Sequence, residues 1–139
     1  MSQPTAARSI FVNLPVQNLA TATAFYQALG FVNNPQFSDE TAACMVWSES
    51  IYLMLLTHAR WQTFTSRPIP ATDSSEVMLA LAVTDRAAVD SMVTTAGQQG
   101  GQTDINPLQE HGFMYSRSLT DPDGHVWEAF WMDPAAMTG

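Results

Sequence analysis

Between residues 10 and 16 the large apolar side chains fall on alternate positions, so Ile10, Val12, Leu14 and Val16 share one face of an extended segment. A polar break at Gln17 and Asn18 follows, after which Phe25, Tyr26 and Leu29 recur at helical spacing. The pattern predicts a strand over 10–16 and a helix over 20–29, stopped by Gly30. Further strands are predicted over 41–48 and 51–57, with a short one near 31–33. From Val77 the plan repeats. Val77, Leu79, Leu81 and Val83 share a face, Asp85 is placed to cap a helix over 85–96, and Ala88, Val89, Met92 and Val93 form its stripe, with Gly97 as the stop. Short strands near 102–105 and 113–119 lead to a last one over 125–132.

Each half therefore reads β-α-β-β-β, the first over about 8–57 and the second over about 76–135. The stretch 58–75 between them, with Pro68, Pro70 and mixed polar residues, suggests a connection or a flap over a cavity. The expected fold class is α+β in a single domain of 139 residues: two βαβββ modules forming a curved mixed sheet around a pocket, helices on the outer face. The face turned from the helices would carry Phe11, Asn13, Tyr52, Met54, Met78 and Glu128. That set is too apolar for open water and too irregular for a plain core. It favours the wall of a mostly apolar pocket over a flat sheet that dimerises through this face.

Composition narrows the partners. A net charge of -8 argues against nucleic-acid backbones and anionic membranes. All five basic residues are arginines, which removes a Schiff-base lysine and a P-loop lysine. The single cysteine, Cys44, excludes an intrachain disulfide and a Cys-rich zinc site, and its apolar setting over 42–47 is that of a buried structural thiol. No apolar run approaches membrane-spanning length and no basic-then-apolar leader opens the chain, so a cytoplasmic protein is the expectation.

Candidate chemistry gathers near the C-terminus. Asp121-Pro122-Asp123-Gly124 is turn chemistry, and it feeds a strand in which Glu128 stands among Trp127, Phe130 and Trp131. A carboxylate in such company is costly to bury unless a cation, a donor or a metal meets it. Symmetric closure of the hairpin over 121–124 would set Thr120 opposite His125 and Arg117 opposite Glu128, with Tyr115 on the same side. Such a charge-assisted pair would serve either as a tie between two strands or as part of a ligand site. Trp61 and Phe64 lie in the polar connection, with little core to join, and are candidates to close over an apolar or aromatic ligand.

These residues carry a family resemblance. The run from Phe11 through Leu19, then Ala24-Phe25-Tyr26 and Leu29-Gly30-Phe31, with the closing Asp121-Pro122-Asp123-Gly124-His125-Val126-Trp127-Glu128, resembles the vicinal oxygen chelate superfamily. That superfamily contains glyoxalase I, extradiol dioxygenases and the bleomycin- and fosfomycin-resistance proteins. The chain looks most similar to a bacterial group labelled predicted lactoylglutathione lyases. The resemblance implies a homodimer and, in metal-dependent members, ligands from the first strand of each half, the fourth strand of the first half and the last strand. Here those positions are Phe11, Met78, Met54 and Glu128. A phenyl ring and two thioethers offer no donor suited to a hard or borderline divalent ion, so the resemblance does not carry the metal chemistry across.

His58 and His111, in loops, are the residues through which a metal site would have to be rebuilt, whereas alternation turns His125 away from Glu128. The resulting expectation is a member of this superfamily that binds a small, partly apolar molecule without a cofactor, using Phe11, Asn13, Met54, Met78, Trp61, Phe64, Tyr115 and Arg117. The alternative is a lyase, isomerase or dioxygenase using Glu128, either as metal ligand or as general base.

Overall fold

The computed structural model describes residues 8–137. The chain divides into two compact units, Met1–Ile69 and Pro70–Gly139. In the first, β1 (Ile10–Val16), α1 (Leu19–Leu29), β2 (Val32–Asn34), a single 3-10 turn (Pro35–Phe37), β3 (Ala42–Ser48), β4 (Ile51–Thr57) and a short α2 (His58–Trp61) follow in order. The strands form a mixed four-stranded sheet in the order β1-β4-β3-β2, with β1 parallel to β4 and the other pairs antiparallel. Pro15 sits in β1, an edge strand, where a residue without an N–H removes no ladder bond from a central position.

Alternation assigns the two faces of this sheet. Register places Leu14 beside Leu55 and Val12 beside Leu53, while Met45 lies beside Leu53 from the other side. These residues face α1, whose Phe25 and Tyr26 are fully buried with Met45, Leu53 and Leu55. Tyr26 meets Phe25 and Phe31 edge-on, with ring centroids 5.0 and 5.4 Å apart. The helix starts where Asn18 accepts a hydrogen bond from the Thr21 amide at 3.0 Å, and it stops where Gly30 takes a φ of 114°.

The second unit holds β5 (Met78–Ala82), α3 (Arg86–Gln98), β6 (Gln109–Glu110), β7 (Met114–Thr120), β8 (Val126–Met132) and a terminal turn of helix, α4 (Pro134–Met137). Its sheet runs β5-β8-β7-β6, again with one parallel pair, β5 with β8. The α+β class and the two βαβββ modules are therefore as expected, built as two open four-stranded sheets rather than one. Among the described residues no helix is long and apolar enough to cross a membrane.

Three details of this unit differ from the sequence expectation. Gly97 does not stop α3. The helix runs on to Gln98, and Gly100, with φ 95°, is the residue that reverses the chain as the Gly101 amide donates back to the Ala96 carbonyl. The strand expected over 102–105 is reduced to a single bridge from Thr103 to Leu119. Asp104 has a φ of 54°, which ends the extended run, and the short strand forms at Gln109–Glu110 instead.

The third difference is the register of the last hairpin. Thr120 lies opposite Val126, not His125, because the Asp121 amide donates to the His125 carbonyl at 3.0 Å and the loop proper is Pro122–Gly124. Gly124 takes φ 86°, the left-handed residue that closes a three-residue loop with a bulge. One residue of slip inverts the parity of a whole strand. Arg117 consequently faces Ala129, and Glu128 faces Ser118. The expected Arg117–Glu128 pair does not form.

Gly124 is also held by proximity, since a Cβ there would stand 2.0 Å from the Thr72 carbonyl oxygen. Gly124→Ala should therefore lower stability by more than the roughly 1–2 kcal/mol of left-handed strain alone. A denaturation midpoint within error of the parent protein would contradict this packing.

Candidate functional site

The open face of the first sheet is built by residues that alternate away from α1. Phe11 pairs with Tyr52, and Asn13 with Met54, along the parallel β1–β4 ladder. The Phe11 and Tyr52 rings stack at 4.4 Å with planes 8° apart, and the Tyr52 hydroxyl donates to the Glu49 carbonyl at 2.7 Å. Phe11 is nevertheless 51% exposed, and it lines a cavity. That cavity, of about 510 Å³, is lined by Phe11, Tyr52, Met54, Cys44 and the 36–39 segment, including Phe37 and Asp39.

The polar parts of that wall are largely occupied. The Asp39 carboxylate accepts from the Thr41 amide and hydroxyl, both at 2.7 Å, and from the Ala42 amide at 3.0 Å. The Thr41 hydroxyl above all holds its pKa below the ordinary carboxylate value. Cys44 is buried, and desolvation pushes its thiol pKa up, away from nucleophilic use. The sequence pointed to Phe11 and Met54 but not to Phe37 or Asp39. The Asn34-Pro35 dipeptide, which opens the 3-10 turn that presents them, was the available signal.

Farther along the same face, Asn13, Leu56, Trp61, Phe64 and Thr65 enclose a smaller cavity of about 160 Å³. Thr57 caps α2 by accepting from the Arg60 amide at 3.2 Å, and this turn of helix sets Trp61 and Phe64 over the end of β1 and β4. The two aromatics proposed as a cover thus line a cavity together with Asn13.

In the second unit, Met78 pairs with Val126 and Ala80 with Glu128, so Met78 and Glu128 share the face turned from α3. Met78 receives the side-chain amide of Asn106 on its sulfur at 3.5 Å, and Ser118, buried beside Glu128, accepts from the Asn106 backbone amide at 2.9 Å. Glu128 itself is half-buried and makes no hydrogen bond or ion pair with any described residue. Its lack of a partner follows from the corrected register.

Tyr115 and Arg117 stand on the opposite face, towards α3. The Arg117 guanidinium, 20% exposed, donates to both Asp104 oxygens at 2.9 and 2.7 Å and to Asp90 of α3 at 2.9 Å, and the Tyr115 hydroxyl donates to the same Asp90 oxygen at 2.6 Å. Arg86 lies over the Tyr115 and Trp131 rings, pairs with Glu110 and donates to the Gly112 carbonyl. These arginines tie helix, loop and strand together. The reason for assigning Tyr115 and Arg117 to a ligand, a shared face with Glu128, does not survive the register.

A divalent metal does not fit the positions that the superfamily uses. The phenyl ring of Phe11 is stacked on Tyr52, and Met54 and Met78 present thioethers. His58 is exposed at the start of α2, while exposed His111 shares a hydrogen bond with Gln109 at 3.1 Å. Among the described residues no group of three or more His, Cys, Asp or Glu is placed to hold an ion.

Comparison with known proteins agrees with this architecture. Residues 8–48 match the model of the bleomycin resistance protein-like N-terminal family. A hypothetical protein from S. aureus superposes with a TM-score of 0.75 at 26% identity, over 91% of this chain and 95% of that one. A glyoxalase/bleomycin resistance protein/dioxygenase family enzyme from Burkholderia phytofirmans PsJN gives 0.73 at 20%, over 88% and 96%. The chain thus has the fold of glyoxalase/bleomycin resistance/dioxygenase proteins, and its first module carries the sequence pattern of the bleomycin resistance protein-like N-terminal family. The fosfomycin resistance protein FosX from Mesorhizobium loti shares the fold at 12% identity, with a TM-score of 0.64 over 99% and 100% of the two chains. No curated protein matches the chain.

The arginine clusters make stability depend on acid. Arg86 holds the Glu110 carboxyl at about 2, and Asp90 and Asp104 are lowered chiefly by Tyr115 and Arg117 respectively. Depressed folded-state values contribute stability that is present above the unfolded values, near 4, and is lost as pH falls through the folded ones. Melting temperature should therefore drop as pH falls from about 4 towards 2, and Arg117→Gln should flatten that slope. Equal slopes in the parent and the variant would remove Arg117 from this role.

Proposed function

We propose that this chain, as a member of the vicinal oxygen chelate superfamily, binds a small, partly apolar molecule on the open face of its first sheet, without a divalent metal at the positions the superfamily uses. The observation that carries the reading is the Phe11–Tyr52 stack, half exposed beside Met54 and lining a cavity of about 510 Å³. A large ring left half in water on one wall of a cavity is the chemistry of ligand contact. A second copy of the chain as partner is part of the proposal. The edge positions of β1 and β5 and the exposure of Ile10 and Val77 support it. Light scattering in solution tests the dimer.

A neutral naphthylamine dye should bind the protein with enhanced fluorescence, and Phe11→Ala should weaken it several-fold with little loss of stability, since the ring is half exposed. Unchanged affinity would remove Phe11 from the site. Protein purified without chelator should lack one equivalent of tightly held divalent metal and should not act on lactoylglutathione. Activity lost on chelation and restored by metal would overturn the metal-free reading.

One observation favours a second reading. The half-buried Glu128 carboxylate, which has no ion pair or hydrogen bond among the described residues, stands where a general base of a lyase or isomerase would. That role requires turnover of some substrate to vanish in Glu128→Gln while its binding persists.

A further inference from the structure

Of the arginines on the described surface, Arg86 and Arg117 are each held by carboxylates, whereas Arg60, like Arg8 and Arg67, forms no salt bridge with any described residue, and it is Arg60 that lies against an aromatic ring. Its guanidinium lies 5.2 Å from the centre of the Phe64 ring, and its charge is felt weakly by Asp39. Phe64 is a wall of the 160 Å³ cavity, so a cation with uncommitted donors stands at its rim. Inside the cavity wall, Trp61 carries the one buried side-chain donor among the described residues that has no acceptor, its indole Nε1. Asn13, on the same wall, makes no side-chain hydrogen bond with a described residue.

A buried N–H without an acceptor is costly, and folded proteins rarely keep one. One enclosed donor with nothing to donate to, and the solvent-facing donors of Asn13 and Arg60 near walls formed by Leu56 and Phe64, are matched by an anionic oxygen attached to a flat apolar body. The volume agrees, because a cavity of roughly 150 Å³ accepts a benzene-sized ring. We propose that this cavity is a subsite for an aromatic carboxylate. Its ring lies against Leu56 and Phe64, one oxygen accepts from Trp61 Nε1 and the Asn13 amide, and Arg60 supplies the opposite charge. Nε1 is enclosed, so entry requires the 61–65 segment to lift. Phe64, 65% exposed, has little packing to lose when it does.

The inference rests on the small-molecule reading above and sharpens its ligand class. Phe11 and Asn13 lie two positions apart on β1, and Met54 and Leu56 two apart on β4, so the two cavities adjoin along one face.

Benzoate, benzamide and benzene, titrated into the full chain, test it through the indole N–H resonance of Trp61, assigned with Trp61→Phe. Benzoate should shift that resonance and bind roughly tenfold or more tightly than benzene, as a charge-assisted hydrogen bond implies. Arg60→Gln should weaken benzoate several-fold and leave benzamide unchanged, and Trp61→Phe should weaken both. Melting curves confirm that the variants are folded, and the exposed Arg60 site keeps one variant informative if Trp61→Phe is unstable. An unmoved Trp61 resonance, or benzoate no tighter than benzene, overturns the subsite. Equal affinity for benzamide and benzoate overturns the carboxylate. If the naphthylamine dye still binds through Phe11 in either case, the broader reading stands; if neither dye nor benzoate binds, both fail.

Discussion

The buried carboxylate of Asp121 determines which side of the second sheet each residue of the last hairpin occupies. It accepts from the Asp123 and His125 amides, both at 2.9 Å, while the Gly124 amide donates to the Asp121 carbonyl at 3.0 Å. These bonds, with the left-handed Gly124, pin a three-residue loop and leave Thr120 opposite Val126. Shift that closure by one residue and Glu128 would turn towards the helix, where Arg117 and its aspartates stand. The separation of a structural charge cluster on one face from a carboxylate without a partner among the described residues on the other is a consequence of that turn.

Both units apply the same division of labour. One face of each four-stranded sheet receives a helix and the branched side chains, and the other keeps aromatic, thioether and small polar residues in view of solvent. In the first unit that second face is shaped by two covers of local origin, the 3-10 turn Pro35–Phe37 and the short helix His58–Trp61. Each is capped by a side chain of the residue before it, Asn34 and Thr57.

The chain uses its few cations sparingly. Arg86 combines Glu110, a carbonyl and two aromatic faces, and Arg117 joins α3, the 104 turn and β7. Planar, multi-donor guanidinium suits this bridging, for which a point-charge ammonium would be a poor substitute. Arg60, Arg67 and Arg8 form no salt bridge with any described residue and are charges facing outward in an otherwise strongly acidic protein.

Much of the fold was legible because alternation and helical spacing report burial directly. Strand β4 was placed at its true bounds, Asn18 and Gly30 frame α1, and Asp85 caps α3 through the Ala88 amide. The absence of suitable metal donors at Phe11, Met54 and Met78 was equally a matter of residue identity. What the sequence could not decide were choices between conformations of similar local cost. Among neighbouring glycines, Gly100 rather than Gly97 reverses the chain, and Gly97 stays helical with Thr103 packed close against it. Asp104 adopts a left-handed conformation because its carboxylate then meets Arg117. The hairpin register, and with it the partner of Arg117 and the isolation of Glu128, depends on hydrogen bonds within a turn and on a strand parity that only the folded chain sets.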